Sequence, residues 1–338
     1  MFLSIITDIR KTSMKKLTLL IAVLMIASLL FAQGANEKDD TVKIGISKLL
    51  AHPALDAIEQ GIKDHMATTD IKYTIHSENA NGEISTCASI ARLFKDEKVD
   101  VAIGIATPTA QALANALPDT LQVFATVTDP VSAGLTGPGN ENICGVSDMV
   151  PVEAHLSLLK QITGCSKVGM IYTSGEANGI VLMEAAKAAA EKLGLEFVSV
   201  AISNSAEAKM AAQSIVDRID AMYVATDNTV ISAINGVAEV CTKAGIGLFS
   251  ADTTSSFDTE VLIAGGFDYY KSGILTAKLV EEVIKGKKPV DIGTQYLDTD
   301  SLEIYLNQDV ADKIGVKLPE ELVKSAKYYV KGGTLETR

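Results

Sequence analysis

Residues 167–178 read KVGMIYTSGEAN. The apolar run 168–172 stops at Thr173-Ser174-Gly175, and a small-residue helical pattern, 176–193, follows. A short apolar run that empties into polar residues and then a helix fits a parallel strand at its carboxyl end. Such a junction offers free backbone N–H groups and hydroxyls to a ligand. The same order recurs at 99–109 and 219–228. The repeats predict two similar open-sheet lobes with a small-molecule cleft between them.

Upstream of this stretch, strands are expected at 42–47, 71–77, 99–105 and 121–127, with helices at about 53–66, 83–96 and 109–117. The Gly/Pro/Asn-rich passage 134–142 reads as a loop, and 143–147 as a further strand before a crossing near Asp148. Downstream, strands at 196–201, 221–225, 247–250 and 261–267 alternate with helices, among them 230–243 and 269–284. Repeated strand–helix units demand right-handed crossovers and parallel sheets, so the fold class is α/β. A surface exit at 285–289, a short strand at 303–306 and a helix near 320–327 complete the pattern.

A chain of 338 residues suits two domains better than one. Aromatic residues are only 5% and Trp is absent, while Leu, Ala and β-branched residues dominate, as expected where helices cover both faces of parallel sheets. The net charge of −12, from 42 acidic and 30 basic residues, argues against a nucleic-acid partner, which needs a basic patch. Cys87, Cys144, Cys165 and Cys241 share no metal-ligand spacing and only four His are present, so no metal site is expected. Buried free thiols are the simpler expectation. Neither GxGxxG, GxxxxGK[ST] nor GxSxG occurs at a strand end, so no cofactor and no catalytic residue is expected.

Lys15-Lys16 precede an apolar run, 17–31, that is followed by Ala32-Gln33-Gly34-Ala35. Charged, apolar and small-residue regions in that order read as a secretory signal peptide over 1–34, with Met14 as an alternative start. The run is short for a membrane span, which needs about 20 residues. No Cys follows it for lipid attachment, so the mature protein is expected free in the periplasm or medium.

In open parallel sheets ligands sit beyond the carboxyl ends of the strands. The polar residues at those positions in the first lobe are His52, Asn79, Thr107, Thr109, Thr128 and Asp129. In the second they are Ser174, Glu176, Asn178, Asp227, Asn228 and Asp252. As a set they suit a zwitterion. Helix starts after Ala106 and Ser174 offer donors to a carboxylate, and either Asp227 or Asp252 could hold an ammonium group. The same residue types also cap helices, the plainer use of each one singly.

At these positions the chain resembles the substrate-binding proteins of ABC importers, in particular the group that binds tryptophan and tyrosine. The likeness rests on His52-Pro53-Ala54-Leu55-Asp56, Ala106-Thr107-Pro108, Thr128-Asp129-Pro130 and Ser147-Asp148-Met149-Val150-Pro151. It continues through Ser174-Gly175-Glu176-Ala177-Asn178, Thr226-Asp227-Asn228-Thr229 and Asp268-Tyr269-Tyr270. The resemblance implies a type I periplasmic-binding-protein fold, with two Rossmann-like lobes and three crossovers that close on ligand. It implies lobes of 41–148 plus 256–289 and 149–255 plus 290–338, with hinges near Asp148, Ser255 and Pro289. It makes Thr107, Ser174, Glu176, Asn178, Asp227 and Asn228 the preferred contacts, and tryptophan, tyrosine or phenylalanine the favoured cargo. The implied partners are a membrane permease and a separate ATPase, and the implied state is a monomer. A receptor for signalling or chemotaxis shares the fold. A secreted hydrolase or racemase is the enzymatic alternative and would show turnover.

Overall fold

The computed structural model describes residues 40–338; the expected signal segment, 1–34, lies outside them. From Val42 the chain alternates β1 (Val42–Lys48), α1 (Pro53–Met66), β2 (Tyr73–Asn79), α2 (Ile84–Glu97) and β3 (Val101–Ile105). It continues through α3 (Thr107–Ala116), β4 (Leu121–Ala125) and β5 (Ile143–Ser147). These strands pair in parallel in the order β5-β4-β3-β1-β2. All five positions of β3 are buried, as an apolar strand covered on both faces requires. Ile44, Ile46, Ile103 and Ile105 of the sheet share one core with Leu55, Ile58 and Ile62 of α1 and Phe94 of α2.

The second sheet repeats the plan. α4 (Val152–Thr163) leads into β6 (Lys167–Thr173), α5 (Ala177–Lys192), β7 (Glu196–Ile202) and α6 (Ala208–Ile215). β8 (Ala221–Val224), α7 (Asn228–Ser232), α8 (Ile234–Lys243) and β9 (Gly247–Ser250) follow. The expected helix 230–243 is two pieces, because Ala233 leaves the helical region (φ −112°, ψ 13°). β10 (Ile263–Gly266) joins β9 in parallel, and α9 (Tyr269–Ile284) then returns to pack along α1. β11 (Thr294–Tyr296) adds to the first sheet beside β5. β12 (Glu303–Asn307) goes back to the second sheet, antiparallel to β10. β13 (Tyr328–Lys331) and β14 (Thr334–Thr337) close that edge as a hairpin through Gly332-Gly333, both at positive φ.

The result is a two-lobed α/β fold with three passages between the sheets. The first lies at 148–151. The others lie later than Ser255 and Pro289. Ile263 and Ala264 pair with Phe249 and Ser250, so 256–266 stay with the second sheet rather than the first. Thr294 pairs with Gly145, so the chain remains in the first lobe beyond Pro289.

The contact between α1 and α9 positions the cleft. A Cβ on Gly61 would stand 2.3 Å from the Tyr270 carbonyl oxygen, and one on Gly273 would stand 2.2 Å from that of Ile58. The absence of both side chains lets the two backbones touch. His52, at the N-cap of α1, and Tyr269, the first residue of α9, are thereby brought to one place.

Candidate functional site

A narrow cavity lies at the carboxyl ends of both sheets. The first lobe contributes His52, Ala54 and Leu55 from the start of α1, Thr126 and Thr128 after β4, and Asp148 after β5. The second contributes Asn178, Thr226, Asn228, Ile231 and Asp252, and Tyr269 completes the wall. No Lys or Arg stands among these lining residues.

Local sequence explains the placement. β4 stops at Ala125 because Thr126 adopts φ 53°, a conformation that costs a β-branched residue energy and turns the chain across the cavity. On the neighbouring strand end, Ala106 takes φ 81° and ψ 159°, and its N–H donates to the Ala125 carbonyl at 3.0 Å. Strain of this kind concentrates where a site is held in shape.

The ionisable groups are buried. Asp148 accepts from Thr128 Oγ1 at 3.2 Å and from the Tyr269 hydroxyl at 3.4 Å, and burial outweighs both bonds to push its carboxyl up to about 6. Burial holds the His52 imidazole below its ordinary range, against the opposing pull of Asp252. Asn228 stands beside His52 and favours the protonated ring, yet neither ring nitrogen meets a partner at hydrogen-bond geometry. Asn178 Oδ1 and Thr226 Oγ1 are likewise buried without a partner. Buried polar atoms are nearly always bonded in native proteins, so three such residues on one cavity leave a place for water or a ligand to bond.

Five of the twelve residues expected from the sequence line the cavity: His52, Thr128, Asn178, Asn228 and Asp252. The other seven do not line it, and six of them have partners elsewhere. Asn79 Oδ1 accepts from the Asn81 N–H, and Asp129 binds the N–H groups of Val131 and Ser132. Thr109 Oγ1 donates back to the carbonyls of Ile105 and Ala106 within its own helix start. Thr107 is buried with an unpartnered hydroxyl but is not part of the lining. Ser174 is exposed and faces the Ile202 carbonyl at the sheet edge.

Asp227 turns inward, accepting from the Thr173 N–H at 2.6 Å, Thr173 Oγ1 at 2.7 Å and the Val230 N–H at 3.1 Å. Burial, with the nearby Glu176 charge, pushes it up to about 7. Glu176 is also fully engaged, by the side chains of Asn178 and Asn228 and by the N–H and hydroxyl of Thr229. Both carboxylates thus frame the cavity rather than enter it. Thr126, Thr226, Asp148 and Tyr269 line it without having been among the expected contacts. A signal for the last two was present, since both fall in the motifs 147–151 and 268–270.

A family profile described as ABC transporter substrate binding protein matches residues 43–330. The chain belongs to that family. It is accordingly a non-catalytic, extracytoplasmic solute-binding component of an ABC importer, working with a membrane permease and ATPase. A tyrosine-binding protein of Clostridioides difficile is 34% identical over 318 residues, covering 88% of this chain and 91% of the relative. Among solved structures, a conserved domain protein from Vibrio cholerae matches with TM-score 0.82 and 35% identity, covering 86% of this chain and all of that one. A Streptococcus pneumonia ABC domain in complex with L-Trp matches with TM-score 0.80 and 29% identity, over 86% and 100% of the two chains. A ligand-free, open substrate-binding protein with adhesive properties from Clostridium difficile matches with TM-score 0.64 and 31% identity, over 86% and 99%. Among the described residues no helix is long and apolar enough to cross a membrane.

Proposed function

We propose that this binding protein captures an α-amino acid with an aromatic side chain, closes its lobes around it and delivers it to the permease. The observation that carries the reading is the cavity itself. Two carboxylates, Asp148 and Asp252, stand with unpartnered His52, Asn178 and Thr226 and no fixed cation. Such a wall asks for a ligand that brings its own positive charge as well as an acceptor. The tyrosine-binding relative and the L-Trp complex support the aromatic class.

The lobe arrangement supports closure. At similar identity, the chain superposes better on the L-Trp complex (TM-score 0.80) than on the ligand-free, open relative (0.64). In the proposed cycle the passages 148–151, 267–268 and 297–302 flex while each sheet moves as a body. The test is native mass spectrometry of the protein beginning at Ala35, followed by calorimetric titration with L-tryptophan, L-tyrosine and L-phenylalanine. A co-purified adduct of one of these masses and a saturable titration are expected. A sugar or nucleoside adduct, with no heat from the amino acids, overturns the cargo assignment.

A further inference from the structure

We propose that the groove between α2 and α3 is the surface by which the first lobe docks on the permease, and that it takes a segment of that partner with acidic residues beside apolar ones. The inference rests on the reading that the lobes close around ligand, and is independent of which ligand they hold.

Two helix faces build the groove. Ile84, Ala88, Arg92 and Lys95 fall at i, i+4, i+8 and i+11 of α2 and share one side of it. Pro108, Ala112 and Ala116 share one side of α3. From Ile84 to Lys95 the groove runs roughly 17 Å along α2, long enough for a stretch of chain rather than one side chain. α2 turns Cys87, Ile90, Ala91 and Phe94 into the core, and leaves this second apolar stripe outside, with Ile84 48% exposed. A single exposed Ile means little, but one that continues into a furrow of small apolar residues marks an interaction surface.

Charge defines the occupant. The chain carries −12 overall, yet no Asp or Glu lines this groove. Among the described residues Arg92 and Lys95 have no ion pair. Two free cations at the end of an apolar furrow match carboxylates beside apolar side chains. The acidic surface elsewhere repels such a segment, so the groove also orients the encounter.

Position defines the partner. Ile84 and Pro108 start their helices just beyond β2 and β3, so the end of the groove they form faces the second lobe, which supplies Gly175 there. β2 is the edge strand opposite β5 and β11, and Gly175 follows β6, beside the edge strand β7. The passages between the lobes leave from β5, β10 and β11, so rotation about them moves the lobes furthest apart on this side. The groove is complete while the lobes are together and loses its second-lobe end when they part. A partner that acts on the loaded form is served by such a surface, and in an importer that partner is the permease.

The test uses the permease–ATPase complex in lipid nanodiscs, reading ATP hydrolysis against the concentration of binding protein. The binding protein is purified with its ligand in place, and the three aromatic amino acids are added in excess. Arg92→Glu combined with Lys95→Glu reverses the charge of the groove. The half-maximal concentration should rise about tenfold or more, and should increase with salt in the wild type but not in the variant. Gly175→Leu fills the second-lobe end, where nothing lies within 4 Å of a Cβ, and should also raise it. None of these residues lines the ligand cavity, so ligand affinity of the free protein should be unchanged, which shows that each variant is folded. An unchanged half-maximal concentration in either variant overturns the proposal. Co-sedimentation with phosphatidylglycerol vesicles that the charge reversal abolishes, with ATPase stimulation intact, assigns the groove to the membrane and overturns it too. Closure is checked separately, by a fall in the radius of gyration when ligand is added; no fall overturns the closure reading on which the Gly175 contact depends.

Discussion

Gly179→Ala isolates the clamp that holds the second-lobe wall. Gly179 sits in the first turn of α5, and a Cβ there would lie 2.6 Å from Asp227 Oδ2 and 2.9 Å from the Thr173 carbonyl oxygen. Two effects oppose. Ala in place of Gly gains about 1 kcal/mol in a helix. Overpacking costs about 1–3 kcal/mol, and loss of charge-assisted bonds costs about 1.5–3 kcal/mol each. The geometry says which wins. Asp227 Oδ2 is fixed by the Thr173 N–H at 2.6 Å and its other oxygen by Thr173 Oγ1 at 2.7 Å and the Val230 N–H, so the carboxylate cannot swing clear and keep them.

The second contact is backbone and cannot yield alone. The net loss should be about 2–4 kcal/mol, or a fall in Tm on the order of 3–6 °C for a chain of this size. Thermal melts followed by circular dichroism, checked by urea titration with an unchanged m value, measure it. Gly175→Ala is the control, because nothing lies within 4 Å of a Cβ there and the change should stay within about 0.5 kcal/mol. A Gly179→Ala protein as stable as wild type would refute the account of Asp227 as an anchored, structural carboxylate.

Two further outcomes follow from the buried ionisable groups. Asp148 is pushed up to about 6, against about 3.9 in an unfolded chain, so the folded protein holds a proton between those values that the unfolded chain has released. Its contribution to stability is complete below about pH 4 and is lost as pH rises through 6. Urea titrations from pH 4 to 7 should show that decline, and Asp148→Asn should flatten it; an identical slope in the variant would contradict it. The four cysteines are unpaired and buried, and burial pushes Cys144 and Cys241 up to about 12 and Cys87 up to about 11. A maleimide reagent at pH 8 should label none of these in the folded protein and all four thiols after unfolding; rapid native labelling would count against the packing.

The sequence carried the fold well because its signals were local. The run 168–172 ends in the strand Lys167–Thr173, and the helix begins at Ala177 once Ser174-Gly175-Glu176 have made the turn. Collecting polar residues at strand ends found His52, Thr128, Asn178, Asn228 and Asp252 because both sheets present those ends to one cavity. Direction was not legible. Asp227 looks like a ligand carboxylate until Gly179 is seen to open the path to Thr173, a relation between residues 54 apart. Thr126 was hidden inside an apolar run by a backbone turn that only the sheet edge reveals. Ala54, Leu55 and Ile231 carry no polar signal at all. The short strands Thr294–Tyr296 and Thr334–Thr337 are too brief for periodicity to register.

Closure in the proposed cycle has an energetic basis in the same orphaned atoms. When the lobes meet, His52, Asn178 and Thr226 lose bulk water and the protein offers His52's ring, Asn178 Oδ1 and Thr226 Oγ1 no replacement. Each unmade bond costs about 1–3 kcal/mol, so where no water takes their partners' place three residues set the empty closed form about 3–9 kcal/mol above one in which they are satisfied. Turning a 1:99 equilibrium into 99:1 takes about 5.5 kcal/mol of differential binding, which lies within that span. A zwitterion that bonds all three residues meets the requirement, because His52 belongs to the first wall and Asn178 and Thr226 to the second. A ligand lacking the ammonium group leaves Asn178 Oδ1 unsatisfied and forfeits part of the drive to close. Selectivity and closure would then share one cause, the buried polar atoms that the protein leaves for the ligand to bond.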